Sequence, residues 1–171
     1  MEVGTIVSSC QLSRAFTQGT VYCPVDLSRV LCIGGSPFNT ETIWLDIANK
    51  TLVATADMGL ARGSSGVIMV DISVYVFGGN NPSITASERF DLCTCTWSQL
   101  PPMTIPRCAF TPCLYKSDIY LIELLQFKGA ERFHLPSHTY FPLDLSLPAS
   151  NHNSASFIVD DEIVFLTAEG C

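Results

Sequence analysis

The apolar positions fall in short runs, not long stripes. "GVIMV" (66–70), "SVYVF" (73–77), "DIYLI" (118–122) and "EIVFL" (162–166) are rich in Val, Ile, Tyr and Phe. Gly, Pro, Asn, Asp and Ser break the chain between them. No segment keeps an i, i+3, i+4, i+7 apolar stripe over three turns, so helix signals are nearly absent. The pattern predicts an all-β chain of many short strands.

The runs recur at a fixed period. "RVLCIGG" (29–35) precedes "SVYVFGG" (73–79) by 44 residues, "DIYLIEL" (118–124) follows by 45, and "EIVFLTA" (162–168) by a further 44. Other landmarks keep step. Phe90-Asp91 matches Leu45-Asp46 and Phe133-His134, and Trp97 matches Leu52 and Tyr140. Arg107 matches Arg62, while the third copy has Ser150. Such self-similarity marks a repeat architecture. One unit reads as four strands: Val67–Val70, Ser73–Phe77, about Ser87–Phe90 and about Thr96–Gln99. The first two and the last two are joined by short, hairpin-like links. The links between second and third strands, and from each unit to the next, are longer and polar or Pro-rich.

A four-stranded unit of this length is a propeller blade. Its landmarks resemble the kelch repeat: an apolar strand ending in Gly-Gly, an aromatic-Asp pair, Trp six residues on, Leu-Pro, then Arg. The second unit carries all of them in Gly78, Gly79, Phe90, Asp91, Trp97, Leu100, Pro101 and Arg107, and Met103 and Pro106 fit as well. The first keeps Gly34, Gly35, Asp46 and Arg62 but has Leu52 for Trp. The third replaces Gly-Gly with Glu123-Leu124, Asp with His134 and Trp with Tyr140. The fourth stops after its second strand, with Thr167-Ala168 in the glycine places. The expected fold is therefore a partial β-propeller of about three and a half kelch-type blades, one domain over residues 1–171. Its units are about 14–61, 62–106, 107–149 and 150–171, with one leading strand near Gly4–Val7.

Each landmark has a structural task. Gly-Gly lets the chain turn with no Cβ in the way. Asp bonds nearby backbone N–H groups and sets the next turn. Trp fills the space between blades and offers an N–H to a carbonyl. Three and a half blades do not make an ordinary closed ring, since propellers close with four to eight. The chain is then a piece of a longer protein, associates with itself or a partner, or is a decayed copy. The fragment comes first, because the last unit stops in mid-blade.

The resemblance implies protein binding through the loops after the second and fourth strands. By repeat position this selects Asn80, Asn81, Arg62, Arg107, Ser36 and Asn39. Arginine suits an interface because its planar fork pairs bidentately with carboxylates. The other reading has each Arg bonding carbonyls of a neighbouring blade. For the asparagines a turn-forming role is favoured.

Composition narrows the partner class. Hydrophobic residues make up 47% and charged residues only 15%, which excludes a disordered chain. A net charge of -7 and a pI near 4.7 lack the electrostatic footprint of a nucleic-acid binder. Neither a signal peptide nor a transmembrane helix is legible, so a cytoplasmic protein with no membrane partner is expected. The eight cysteines are then reduced thiols. Cys93-x-Cys95, Cys108 and Cys113 lack the paired C-x2-C of a zinc ribbon, so no metal is assigned. No G-x-S-x-G, P-loop, H-E-x-x-H or G-x-G-x-x-G occurs, and no catalytic residue or cofactor is assigned. The expected function is a non-enzymatic protein–protein interaction module, as an adaptor's substrate-recognition part or a scaffold. The alternative is a degenerate fragment similar to the copper radical oxidases, whose Tyr and His ligands would be sought at Tyr140, His138 and His152.

Overall fold

The computed structural model describes residues 16–35, 39–80, 84–123, 129–144, 155–160 and 162–166. All regular structure among them is β. The first sheet is β1 (Val21–Pro24), β2 (Arg29–Ile33), β3 (Thr42–Asp46) and β4 (Thr51–Ala54). The second is β5 (Gly66–Val70), β6 (Ser73–Phe77), β7 (Ser87–Asp91) and β8 (Thr96–Leu100). The third is β9 (Cys113–Tyr115), β10 (Asp118–Glu123), β11 (Gly129–His134) and β12 (Thr139–Leu143). A two-stranded hairpin follows, β13 (Ala155–Val159) with β14 (Glu162–Leu166). Each four-stranded sheet is an antiparallel meander in chain order. The first strands lie side by side, β1 against β5, β5 against β9 and β9 against β13. This is the radial arrangement of propeller blades, and it forms an open arc, not a closed ring. The expected leading strand near Gly4–Val7, and Thr167-Ala168, lie outside the described residues.

The repeat landmarks are register positions. Leu45 pairs with Leu52, Phe90 with Trp97 and Phe133 with Tyr140, each across the third and fourth strands of a blade. The second strands form the core because both of their faces are covered. In β6, Val74 and Val76 pack toward the first sheet with Leu31, Ile33 and Met58. Tyr75 and Phe77 pack toward the third with Ile119, Leu121 and Phe133. That two-sided burial explains why "SVYVF" is a continuous apolar run and not an alternating one.

The turns also repeat. Lys50, Cys95 and His138 close the link between third and fourth strands in their blades, with φ of 55°, 54° and 52°. Cys95 is thus a turn residue, and its thiol lies 3.9 Å from the Leu92 carbonyl. The aspartates work as the sequence implies. Asp46 Oδ1 accepts from Asn49 N at 2.8 Å, and Asp91 Oδ1 accepts from Cys93 N and Thr94 N at 2.9 and 3.0 Å.

These bonds hold the carboxyls of Asp46 and Asp91 below the usual carboxylate range, chiefly through the N–H groups of Asn49 and Thr94. A lowered native pKa contributes stability above the unfolded value of about 3.9, which is lost as pH falls through the native one. The urea midpoint should therefore fall on acidification below that point. An Asp46→Asn, Asp91→Asn double variant should start lower at neutral pH and fall less steeply. Parallel curves would show that the two caps carry none of the acid sensitivity.

Candidate interaction surface

The link from one blade to the next enters the seam between sheets and carries a buried methionine and a buried arginine. Met58 and Arg62 lie in the first such link, and Met103 and Arg107 in the second. In both, the backbone doubles back onto the Gly-Gly pair. Gly35 N donates to the Arg62 carbonyl at 3.0 Å, and Gly79 N to the Arg107 carbonyl at 2.9 Å. Gly34 and Gly78 have φ of 63° and 59°, and a Cβ on either would stand 2.2 Å from that same carbonyl oxygen. Only glycine lets the two chains approach so closely.

The arginine side chains run inward, not outward. Arg62 and Arg107 are both 0% exposed. Arg62 Nη1 donates to the carbonyls of Gly78 and Ala86 at 3.2 and 3.1 Å, and Nη2 to Glu88 Oε2 at 2.6 Å. Glu88 Oε1 accepts from Gly59 N at 2.7 Å. The second seam repeats the plan. Arg107 pairs with Glu131, whose Oε2 accepts from Thr104 N and Thr104 Oγ1 at 3.2 and 2.5 Å. Burial pulls both guanidinium groups below the ordinary arginine value, and the partner glutamate pulls each back up. The expected arginine contacts with a partner are thus corrected. Each side chain is enclosed within the seam, and no surface of it is left to present.

Glu88 and Glu131 are the residues that motif reading missed. Their signal is "SERFD" (87–91) against "AERFH" (130–134), the same Glu-Arg-Phe at 43 residues' distance. The first unit has Ile43 there.

Trp97 closes the same seam from the outer strand. Its indole Nε1 donates to the Ala56 carbonyl at 3.0 Å and lies 3.2 Å from Thr42 Oγ1, both in the first blade. Its ring packs on Phe90 with centroids 5.1 Å apart. In the third blade Tyr140 takes this place. Its hydroxyl is 2.6 Å from Ser87 Oγ, the repeat equivalent of Thr42. Burial pushes the phenol well up from its usual value. Tyr140→Phe should therefore keep the packing, strand Ser87 without its partner, and cost about 1–2 kcal/mol in urea unfolding. A loss near zero would show that water replaces the phenol.

The other selected residues hold turns. Asn39 pairs with Arg62 as an isolated bridge, and its Oδ1 accepts from Glu41 N at 3.2 Å. Asn80 N donates to the Gly63 carbonyl at 2.8 Å, and its Nδ2 to Ser64 Oγ at 3.4 Å. Asn39 and Asn80 are half-buried at the loop end of the blades. Ser36 and Asn81 lie outside the described residues, as does His152. His138 stacks on Phe133 with centroids 5.7 Å apart, and His134 Nδ1 is 2.7 Å from Asp118 Oδ1. Among the described residues, no three His, Cys, Asp or Glu side chains gather as a metal site. No helix there is long and apolar enough to cross a membrane.

Residues 61–104 match the kelch motif. The second sheet is a kelch repeat. The matched span starts one residue before Arg62 and runs past the last strand of that sheet. The first and third sheets share its strand order, register and seam, so they are kelch-type blades on geometry. No curated protein matches the chain.

Proposed function

We propose that the chain is a non-enzymatic protein–protein interaction module, the recognition or scaffold part of a larger protein or assembly. One observation carries this reading. The described motif residues of the kelch repeat are spent on the scaffold: the glycines on backbone approach, the arginines on buried ion pairs, the aspartates on turns, Trp97 on the seam. What varies from blade to blade is the loop end, where Asn39 and Asn80 stand. A propeller whose motif residues face inward and whose loops differ is suited to binding a protein surface. The open arc goes with a ring completed by more chain or by a second copy, since exposed strand edges invite pairing. Six described cysteines are free thiols, which supports a reducing compartment such as the cytoplasm.

The test is affinity capture with the full chain, repeated with Asn39→Lys and Asn80→Lys. These loop positions replace the arginines as targets, because arginine loss would damage the fold. Loss of one specific partner from a protein that still unfolds in one cooperative transition is the expected result. An unchanged partner list would move the contact surface away from this end. Sedimentation of the purified chain tests self-association, and a folded monomer at micromolar concentration would count against it.

A further inference from the structure

The seam between the first and second sheets opens to solvent as a groove of about 370 Å³. That falls within the ~300–1,000 Å³ range of ligand sites. Asp57 and Leu60 line one wall, from the link that leads to Arg62. Trp97, Thr96 and Gln99 on β8 line the other, with Glu88 at the floor. Both Glu88 oxygens are engaged, by Gly59 N and Arg62 Nη2. Asp57 is exposed and makes no ion pair among the described residues. The groove thus holds an indole and an uncommitted carboxylate, and no cation among the described residues lines it.

The chain fills this combination itself at two other places. Arg29 Cζ lies 5.2 Å from the Trp44 ring centre while its Nε pairs with Asp26 at 2.8 Å. Arg132 Cζ lies 4.5 Å from the Phe141 ring centre while Nη1 pairs with Asp118 at 2.6 Å. Ring, carboxylate and guanidinium come together in both. At the groove the first two are present and the third is not. The next seam differs. It has Pro102, Tyr140 and Pro142 where this one has Asp57, Trp97 and Gln99, so it offers no carboxylate there.

We propose that this groove seats an arginine side chain of a protein partner, with its guanidinium against the Trp97 indole and paired with Asp57. The proposal rests on the interaction-module reading and adds the chemistry of what is bound. A chain of net charge -7 favours a basic segment from a distance. The ring and Asp57 then select a planar cation at close range.

The probe is a blocked pentapeptide, Gly-Ser-Arg-Ser-Gly, titrated into the intact chain beside its citrulline and glutamate counterparts. The readout is the Trp97 indole N–H in nitrogen–proton correlation spectra, with the Trp44 indole as an internal reference. The arginine peptide should shift the Trp97 signal saturably, with a dissociation constant in the millimolar range. Asp57→Asn, on an exposed loop, should weaken it about two- to fivefold. Citrulline should bind at least as weakly. An equal response to the glutamate peptide, an unchanged affinity in D57N, or no saturable shift would each overturn the proposal. The module reading fails separately. A captured partner that D57N holds as tightly as wild type sinks the groove and leaves the module. Arginine-peptide binding with no captured partner sinks the module and leaves the groove.

Discussion

Arg62→Ala should lower unfolding stability by about 3–5 kcal/mol, the usual cost of removing one partner from a buried ion pair. The Arg62 and Glu88 side chains are 1% and 3% exposed, so solvent screens little of the effect. Truncation leaves the Glu88 carboxylate with Gly59 N as its only remaining partner of those described. It also leaves the Gly78 and Ala86 carbonyls without their guanidinium donor. Lysine cannot rescue the site, because one ammonium does not reproduce a fork that reaches two carbonyls and a carboxylate. The Arg62→Ala, Glu88→Ala pair should lose clearly less than the sum of the single losses, since the second change removes the stranded charge. Urea unfolding of the four proteins decides. A single-variant loss below about 1 kcal/mol would mean that water enters the seam and solvates Glu88.

Why this pair escaped sequence reading is a matter of pattern. A glutamate at alternate spacing in a strand, as in "SERFD", reads as a solvent-facing residue. It is buried because blades face each other: β7 presents Glu88 and Phe90 to the first sheet and Arg89 to the opposite side. Arg89 duly meets Ser73 Oγ at 3.0 Å and Asp91 at 3.0 Å. Nothing in one unit distinguishes the two faces. Only the recurrence of Glu-Arg-Phe with an arginine upstream could have flagged the pair. The arginines were legible as repeat positions, but not in direction. A Pro-containing link such as "LPPMTIPR" (100–107) reads as an exposed loop, and its last residue turns inward by backbone bonds to another segment. Arg107 N, for instance, donates to the Ile84 carbonyl at 3.0 Å.

The fold was more legible than the site because period and register depend on the same residues. Phe90 and Trp97, or Phe133 and Tyr140, keep fixed spacing because they face each other across a hairpin of fixed length. The third blade shows how far the motif can drift. Tyr140 replaces Trp and still finds a hydroxyl across the seam. Glu123 stands where Gly78 stands one blade earlier, and the arginine network there is altered. Arg107 Nη1 bonds its own Ile105 carbonyl at 3.0 Å, and its Nη2 and Nε have no partner among the described groups. Arg62 leaves only its Nε unpaired. The second seam is therefore less well satisfied than the first, in step with the loss of Gly-Gly.

Gly78→Ala should cost about 2–4 kcal/mol, more than the strain of one alanine at positive φ. The new Cβ would meet the Arg107 carbonyl oxygen at 2.2 Å and Met103 Cε at 2.9 Å. The methionine tip can swing aside. The carbonyl cannot, because it already accepts from Gly79 N and belongs to the link that plants Arg107 in its seam. Relief therefore moves backbone that two blades share. Gly34→Ala should behave alike, since its Cβ would stand 2.2 Å from the Arg62 carbonyl. Gly59→Ala is the control. Its φ is not in the left-handed region, and its Cβ would meet only the end of the Glu88 side chain at 2.9 Å. Glu88 is itself held by Gly59 N and Arg62, so the cost should be about 1–2 kcal/mol, still below that of Gly78→Ala. Urea midpoints for the three variants rank the effects. Equal losses at Gly59 and Gly78 would show that the close approach at Gly-Gly does not set the blade spacing.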